Sequence, residues 1–124
     1  MDIEQEIKSK GLTAPRVTPA DIEAAIIREH FFTAAQGVYG AAGDHADVVE
    51  FSDHDPESLL TFCVLVMRNG FTVTGESACA SPENFNAEIG RKIARQNAVA
   101  KVWPLMGYEL RSKLHAVETA PEGS

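Results

Sequence analysis

LLTFCVLVMRNGFTVTGESACA, residues 59–80, is the stretch that decides the fold. Two runs rich in β-branched and aromatic residues, Leu59 to Arg68 and Phe71 to Ala80, flank the pair Asn69-Gly70. Asn-Gly between alternating apolar runs is a strong short-range signal for a β-hairpin with a two-residue type I′ turn, because both turn positions need positive φ. A two-residue turn sets Arg68 opposite Phe71, Val66 opposite Val73 and Val64 opposite Gly75. Leu60, Phe62, Val64 and Val66 then form the expected core face with Phe71, Val73 and Cys79. Cys63 and Cys79 fall on opposite faces in this register and are expected to remain reduced thiols. Gly75 inside a strand marks a place where another backbone comes close.

Upstream, Thr18-Pro19-Ala20-Asp21 is a helix start, with a capping hydroxyl, a proline suited to the first helical position and an acid in the first turn. Ile22, Ala25 and Ile26 follow at helical spacing, and the pattern predicts a helix over 19–35 that stops by Gly37. Ile3 and Ile7 suggest a short helix over residues 2–10, ended by Gly11. Val48, Val49 and Phe51 suggest a short edge strand, limited by Pro56. Downstream, Ser81-Pro82-Glu83 repeats the cap-and-proline pattern and predicts a helix from 82 to Trp103, ended by Pro104. Its expected core stripe is Phe85, Ile89, Ile93, Ala100 and Trp103. A second short helix is predicted from Tyr108 to about His115.

The fold class that follows is α+β: an antiparallel β-hairpin, in a two- or three-stranded sheet, packed with a long C-terminal helix and an N-terminal helix. The expected layout is an N-terminal extension (1–17), one α+β domain (18–115) and a disordered tail (116–124). A chain of 124 residues suits one core, and 44% hydrophobic with 23% charged residues is a globular composition. No apolar run approaches the roughly 18 residues needed to span a bilayer. The acidic start, Met1 to Glu6, is unlike a secretory signal, so cytoplasm is the expected compartment.

A net charge of −7 argues against general nucleic-acid binding, which rests on many phosphate contacts. The charge is unevenly spread: residues 1–90 hold 5 Lys/Arg against 15 Asp/Glu, whereas residues 91–124 hold 6 against 3. The basic strip Arg91, Lys92 and Arg95, with Lys101, Arg111 and Lys113 beyond it, is the candidate site for a small anionic ligand. Asn84 stands at the expected helix start, and Tyr108 and Arg111 extend the set. The competing account is a basic helix flank neutralised by the acidic 44–57 segment, or a subunit interface that mixes arginine with Val99 and Val102.

Gly75-Glu76-Ser77-Ala78-Cys79 lacks the last glycine of a nucleophile elbow and has no strand-to-helix turn, so no catalytic residue is assigned. His45, Asp47, Asp53, His54 and Asp55 offer metal-ligand types without the spacing that presets a site, and a solvated loop is the simpler account. No metal or cofactor is expected. Cys63 and Cys79 have no nearby base in sequence, and a strand interior raises a thiol pKa.

The hairpin strings, with Pro82-Glu83-Asn84-Phe85, Trp103-Pro104-Leu105-Met106-Gly107-Tyr108-Glu109-Leu110 and the stretch from Val17 to Ala35, resemble the phage gene product 49/66 family of tailed phages and prophages. The resemblance implies a phage or prophage accessory product made in the bacterial host cytoplasm. It carries no catalytic residues over. Small phage accessory proteins often act by binding, and three readings follow. The first is a non-enzymatic homo-oligomer that binds a small anionic ligand, such as a nucleotide signal of host anti-phage defence. The second is a protein-interaction module that inhibits a host protein. The third is a double-stranded-RNA-binding-like domain, suggested by the order of elements but opposed by Glu83 and Glu88 where such domains carry lysines.

Overall fold

The computed structural model describes residues 2–121. Its order is α1 (Ile3–Ser9), α2 (Pro19–Ala25), β1 (Ile26–Thr33), α3 (Ala34–Ala42), β2 (Leu60–Met67), β3 (Thr72–Ala78) and α4 (Ala87–Glu118). Short 3-10 turns occupy Gly43–Val48, Pro56–Leu59 and Pro82–Asn84. The three strands make one antiparallel sheet in the order β1-β2-β3, and α4 packs across one face of it. The fold is α+β.

The hairpin is where the sequence places it, but its turn holds three residues. Met67 N–H donates to the Phe71 carbonyl (2.8 Å), and Gly70 N–H donates to the Met67 carbonyl (2.8 Å). Within the turn only Gly70 has positive φ (88°), and among the described residues no non-glycine residue does, whereas a type I′ turn requires it at Asn69 as well. Asn69 instead accepts a hydrogen bond from Phe71 N–H on its side-chain oxygen (3.0 Å). The register is therefore Val66 with Thr72, Leu65 with Val73 and Cys63 with Gly75.

The one-residue difference exchanges the two faces of β2, while Val73 of β3 stays in the core. The core face is Thr61, Cys63, Leu65 and Met67, while Leu60, Phe62, Val64 and Val66 lie on the opposite face, half-buried. Cys63 and Cys79 now share a pleat parity, contrary to the expected opposite faces. Both are free all the same. Cys79 N–H bonds to the Leu59 carbonyl (3.0 Å), four residues from Cys63. That is roughly 13 Å along a strand, too far to bridge.

The predicted 19–35 helix is a second correction. Thr18 caps α2 through a reciprocal pair with Asp21, as its sequence implies, but the helix ends at Ala25. The chain then extends as β1 and pairs with β2 from Ile26 opposite Met67 to Thr33 opposite Thr61, with a bulge between Ile26 and Arg28. β2 is a central strand, apolar on both faces, and it needs a hydrogen-bonding neighbour on each edge. That requirement outweighs the local helical spacing. Thr33 ends the strand and caps α3, in a reciprocal pair with Gln36. Residues 48–51 form no strand.

α4 starts at Ala87, capped by Asn86, rather than at Pro82. It runs unbroken through Pro104 to Glu118, past the expected start of the tail. The rest of that tail from residue 122 lies outside the described residues. Pro104 faces solvent, where water satisfies the carbonyl that its missing N–H leaves free. The helix buries Gly90, Ala94, Ala98 and Val102, one small residue per turn. The larger apolar stripe expected in the core points outward: Ile89 is 56% exposed, Ile93 41% and Trp103 36%. Small residues win because they let the helix backbone settle against Gly75 of β3. The core joins Ile22, Ala25, Cys63, Leu65, Met67 and Val73 to this small stripe.

Candidate functional site

The basic residues of α4 do not converge on one place. Arg91 and Arg111 are about 30 Å apart along the helix axis at 1.5 Å per residue. Arg95 is held by two carboxylates: its Nη1 and Nη2 donate to both oxygens of Glu23 (3.0 and 2.7 Å), and its Nε donates to Glu29 (2.7 Å). These bonds raise the Arg95 pKa and lower that of Glu23. Lys92 pairs with Glu88 (3.2 Å), Arg111 with Glu118 (2.7 Å) and Lys113 with Glu109 (3.3 Å). Lys101 stands 4.0 Å from Glu76. None of these partners comes from the 44–57 segment.

The Arg95 clamp ties α4 to α2 and β1. Arg95→Ala is expected to cost about 1 kcal/mol in chemical denaturation, since the carboxylates are partly in water. The folded pKa of Glu23 lies below its unfolded value. Its contribution is therefore complete above the ordinary glutamate value of about 4.3 and fades as pH falls through the lowered folded value. A Glu23→Gln variant should lose stability more gradually on acidification than the parent; identical acid limbs would refute this.

Of the α4 basic strip, Arg91 alone has no carboxylate partner among the described residues. It is also the one that borders a cleft of about 350 Å³ at the end of the sheet. Phe31, Phe32 and Thr33 bring the end of β1 to this cleft; Ala35, Gln36 and Tyr39 bring α3. Phe51, Asp53 and Ser58 come from the acidic segment, Thr61 from β2, and Phe85, Ala87 and Arg91 from the start of α4.

Five aromatic rings therefore meet one guanidinium and one carboxylate. Tyr39 and Phe51 pack edge to face at 5.5 Å, and Phe51 N–H donates to the Tyr39 hydroxyl (3.1 Å). This pairing folds the acidic segment over α3. Ser52 and Asp55 then close the loop, with Ser52 N–H donating to Asp55 (2.9 Å). Behind the cleft, Thr61 is buried against Gly90, and its hydroxyl has no hydrogen-bond partner among the described residues.

The other candidate residues lie elsewhere. Asn84 sits in the 3-10 turn ahead of α4, its N–H bonded to the Ser81 carbonyl (2.9 Å). Tyr108 is 78% exposed on the distal half of α4, and Arg111 follows it. Among the described residues, no three His, Cys, Asp or Glu side chains are grouped to hold a metal ion. Ser77 lies within β3, not at a strand-to-helix turn. Burial pushes the Cys63 thiol pKa up, the opposite of what a reactive cysteine needs. Sequence reasoning singled out Arg91 but missed the aromatic cleft. Its rings come from four separate segments, and only the tertiary fold brings them together.

Among the described residues, no helix is long and apolar enough to cross a membrane. One family model, described as the phage protein (N4 Gp49/phage Sf6 gene 66) family, matches residues 17–114. No curated protein and no solved structure matches the chain.

Proposed function

The chain belongs to the phage protein (N4 Gp49/phage Sf6 gene 66) family, and from that premise we propose that it is a non-enzymatic binding protein for a small planar anion of the nucleotide class. The ligand occupies the cleft between β1, α3 and the start of α4. One observation carries the reading: the one cation of the α4 strip with no carboxylate partner among the described residues borders the aromatic cleft. An arginine matches phosphate geometry with two parallel donors. Aromatic walls suit a nucleobase, whose stacking contributes about 1–3 kcal/mol. Asp53 supplies an acceptor for a ribose hydroxyl or an exocyclic amine, which a simple inorganic anion would not need. The cleft volume falls in the range of small-molecule sites. In an infected bacterium, such a protein would act in the cytoplasm by sequestering a nucleotide signal of host defence.

The test is a thermal-shift and calorimetric screen of the purified protein against mono-, di- and cyclic nucleotides, with inorganic phosphate as control. At least one nucleotide should raise the melting temperature while phosphate does not. Arg91→Ala should abolish that shift and leave the free protein's melting temperature within about 2 °C of the parent, because Arg91 makes no ion pair among the described residues. Arg95→Ala should keep the ligand shift while lowering the baseline. The reading fails if no nucleotide binds, or if Arg91→Ala binds as well as the parent.

A further inference from the structure

We propose that the face of the sheet opposite α4 is a two-fold interface between two copies of this chain. The face consists of Leu60, Phe62, Val64 and Val66 on β2, flanked by Arg28, His30 and Phe32 on β1 and by Thr72, Thr74 and Glu76 on β3. α4 covers the other face, and α3 reaches only the Phe32–Phe62 end, where Gly37 lies beside the Phe32 ring. A strand with one solvated face alternates apolar with polar residues, whereas a strand covered on both faces reads apolar throughout. β2 is LTFCVLVM and is charge-free. Its sequence is that of a strand with two covered faces, and the described residues of one chain cover only one.

The charges on the rim identify the occupant. Arg28 lies opposite Val66 and Glu76 lies opposite Phe62, so the two occupy diagonal corners, each two residues from the Val64 row and on opposite edge strands. A two-fold axis in the interface plane, passing over Val64 at roughly 45° to the strands, crosses the two sheets at about a right angle and brings Arg28 of each copy to Glu76 of the other. An isologous interface requires this self-complementarity, and two ion pairs then frame an apolar centre. Both residues are available for the exchange. Arg28 makes no ion pair among the described residues, and Glu76 has only the 4.0 Å approach of Lys101.

Three strands at about 4.8 Å spacing and seven residues at about 3.4 Å give a face of roughly 14 by 24 Å. That is roughly 340 Å² per copy, below the roughly 1,000 Å² total of a stable interface, so a weak dimer that forms only at high protein concentration is expected.

Sedimentation velocity over a dilution series tests the proposal. The parent should be a dimer at high concentration and dissociate on dilution. Arg28→Glu or Glu76→Arg alone places like charges at both corners and should weaken the dimer by about tenfold or more. The double variant restores opposite charges and should recover most of that loss. Both positions are exposed, so melting curves should show all three variants folded. Val64→Lys, at the centre, should give a monomer; if that variant does not fold, the charge-reversal set still decides. A parent that is monomeric throughout assigns the face to some other partner and overturns the proposal. So does a dimer indifferent to the single reversals, or a double variant no better than either single one.

Discussion

Gly75→Ala should destabilise the protein by about 3 kcal/mol, at the upper end of what one added methyl group costs in a packed interior. A Cβ built at residue 75 would lie 2.8 Å from Ala98 Cα, and closer still to the Ala94 carbonyl oxygen and the Ala98 backbone nitrogen. The obstacle is helix backbone, which no rotamer change can clear. α4 would have to lift from β3, opening the contacts of Ala94, Ala98 and Val102, all fully buried. For a domain of this size the loss corresponds to a fall in melting temperature on the order of 10 °C.

Gly90→Ala is the informative comparison. A Cβ there meets the Thr61 hydroxyl at 3.0 Å, a side-chain atom able to rotate. Alanine also gains about 1 kcal/mol of helix propensity over glycine. Near-neutral stability is expected at residue 90. If Gly75→Ala is also neutral, the close approach of helix and strand is wrong.

The second large effect tests the register of the hairpin. Leu65 is fully buried beneath α4, and Leu65→Ala should cost about 3 kcal/mol by removing methyl groups from a site that cannot collapse. Val66→Ala, on the half-buried opposite face, should cost about 1 kcal/mol or less at concentrations where the chain is monomeric. The register implied by a two-residue turn makes the reverse prediction, with Val66 inside and Leu65 outside. Chemical denaturation of the two variants side by side decides between them, and a larger loss at Val66 would reinstate the Asn69-Gly70 type I′ turn.

Much of the fold was legible because it rests on local chemistry. Thr18 caps α2 with its own backbone and Asp21, and Asn69-Gly70 marks a reversal between two β-rich runs. Gly75 signals a close backbone neighbour in a strand, and α4 supplies that neighbour. The predicted 19–35 helix failed after Ala25 because the periodicity of Ile22, Ala25 and Ile26 does not register the demand of β2 for an edge partner. The break expected at Pro104 did not occur, because a proline on the solvent side of a helix already anchored through Ala94, Ala98 and Val102 leaves its lost hydrogen bond to water. At the candidate site, Arg91 was visible as one of several basic residues. That it is the unpaired one depends on Glu23, Glu29, Glu88, Glu76, Glu118 and Glu109 reaching the others.

Sequence alone determined that this chain makes a hairpin, a helix start capped by Thr18 and an acidic body with a basic C-terminal quarter, because caps, turn residues and charge are properties of a few neighbouring residues. Tertiary structure decided which face of the hairpin is buried, which stripe of α4 meets it and which α4 arginine has no carboxylate partner among the described residues. Each of those choices turns on one residue of turn length or on a carboxylate distant in the chain. Strand side chains alternate with a period of two, so a single-residue difference at Arg68-Asn69-Gly70 exchanges the two faces of β2 while Val73 of β3 stays inside.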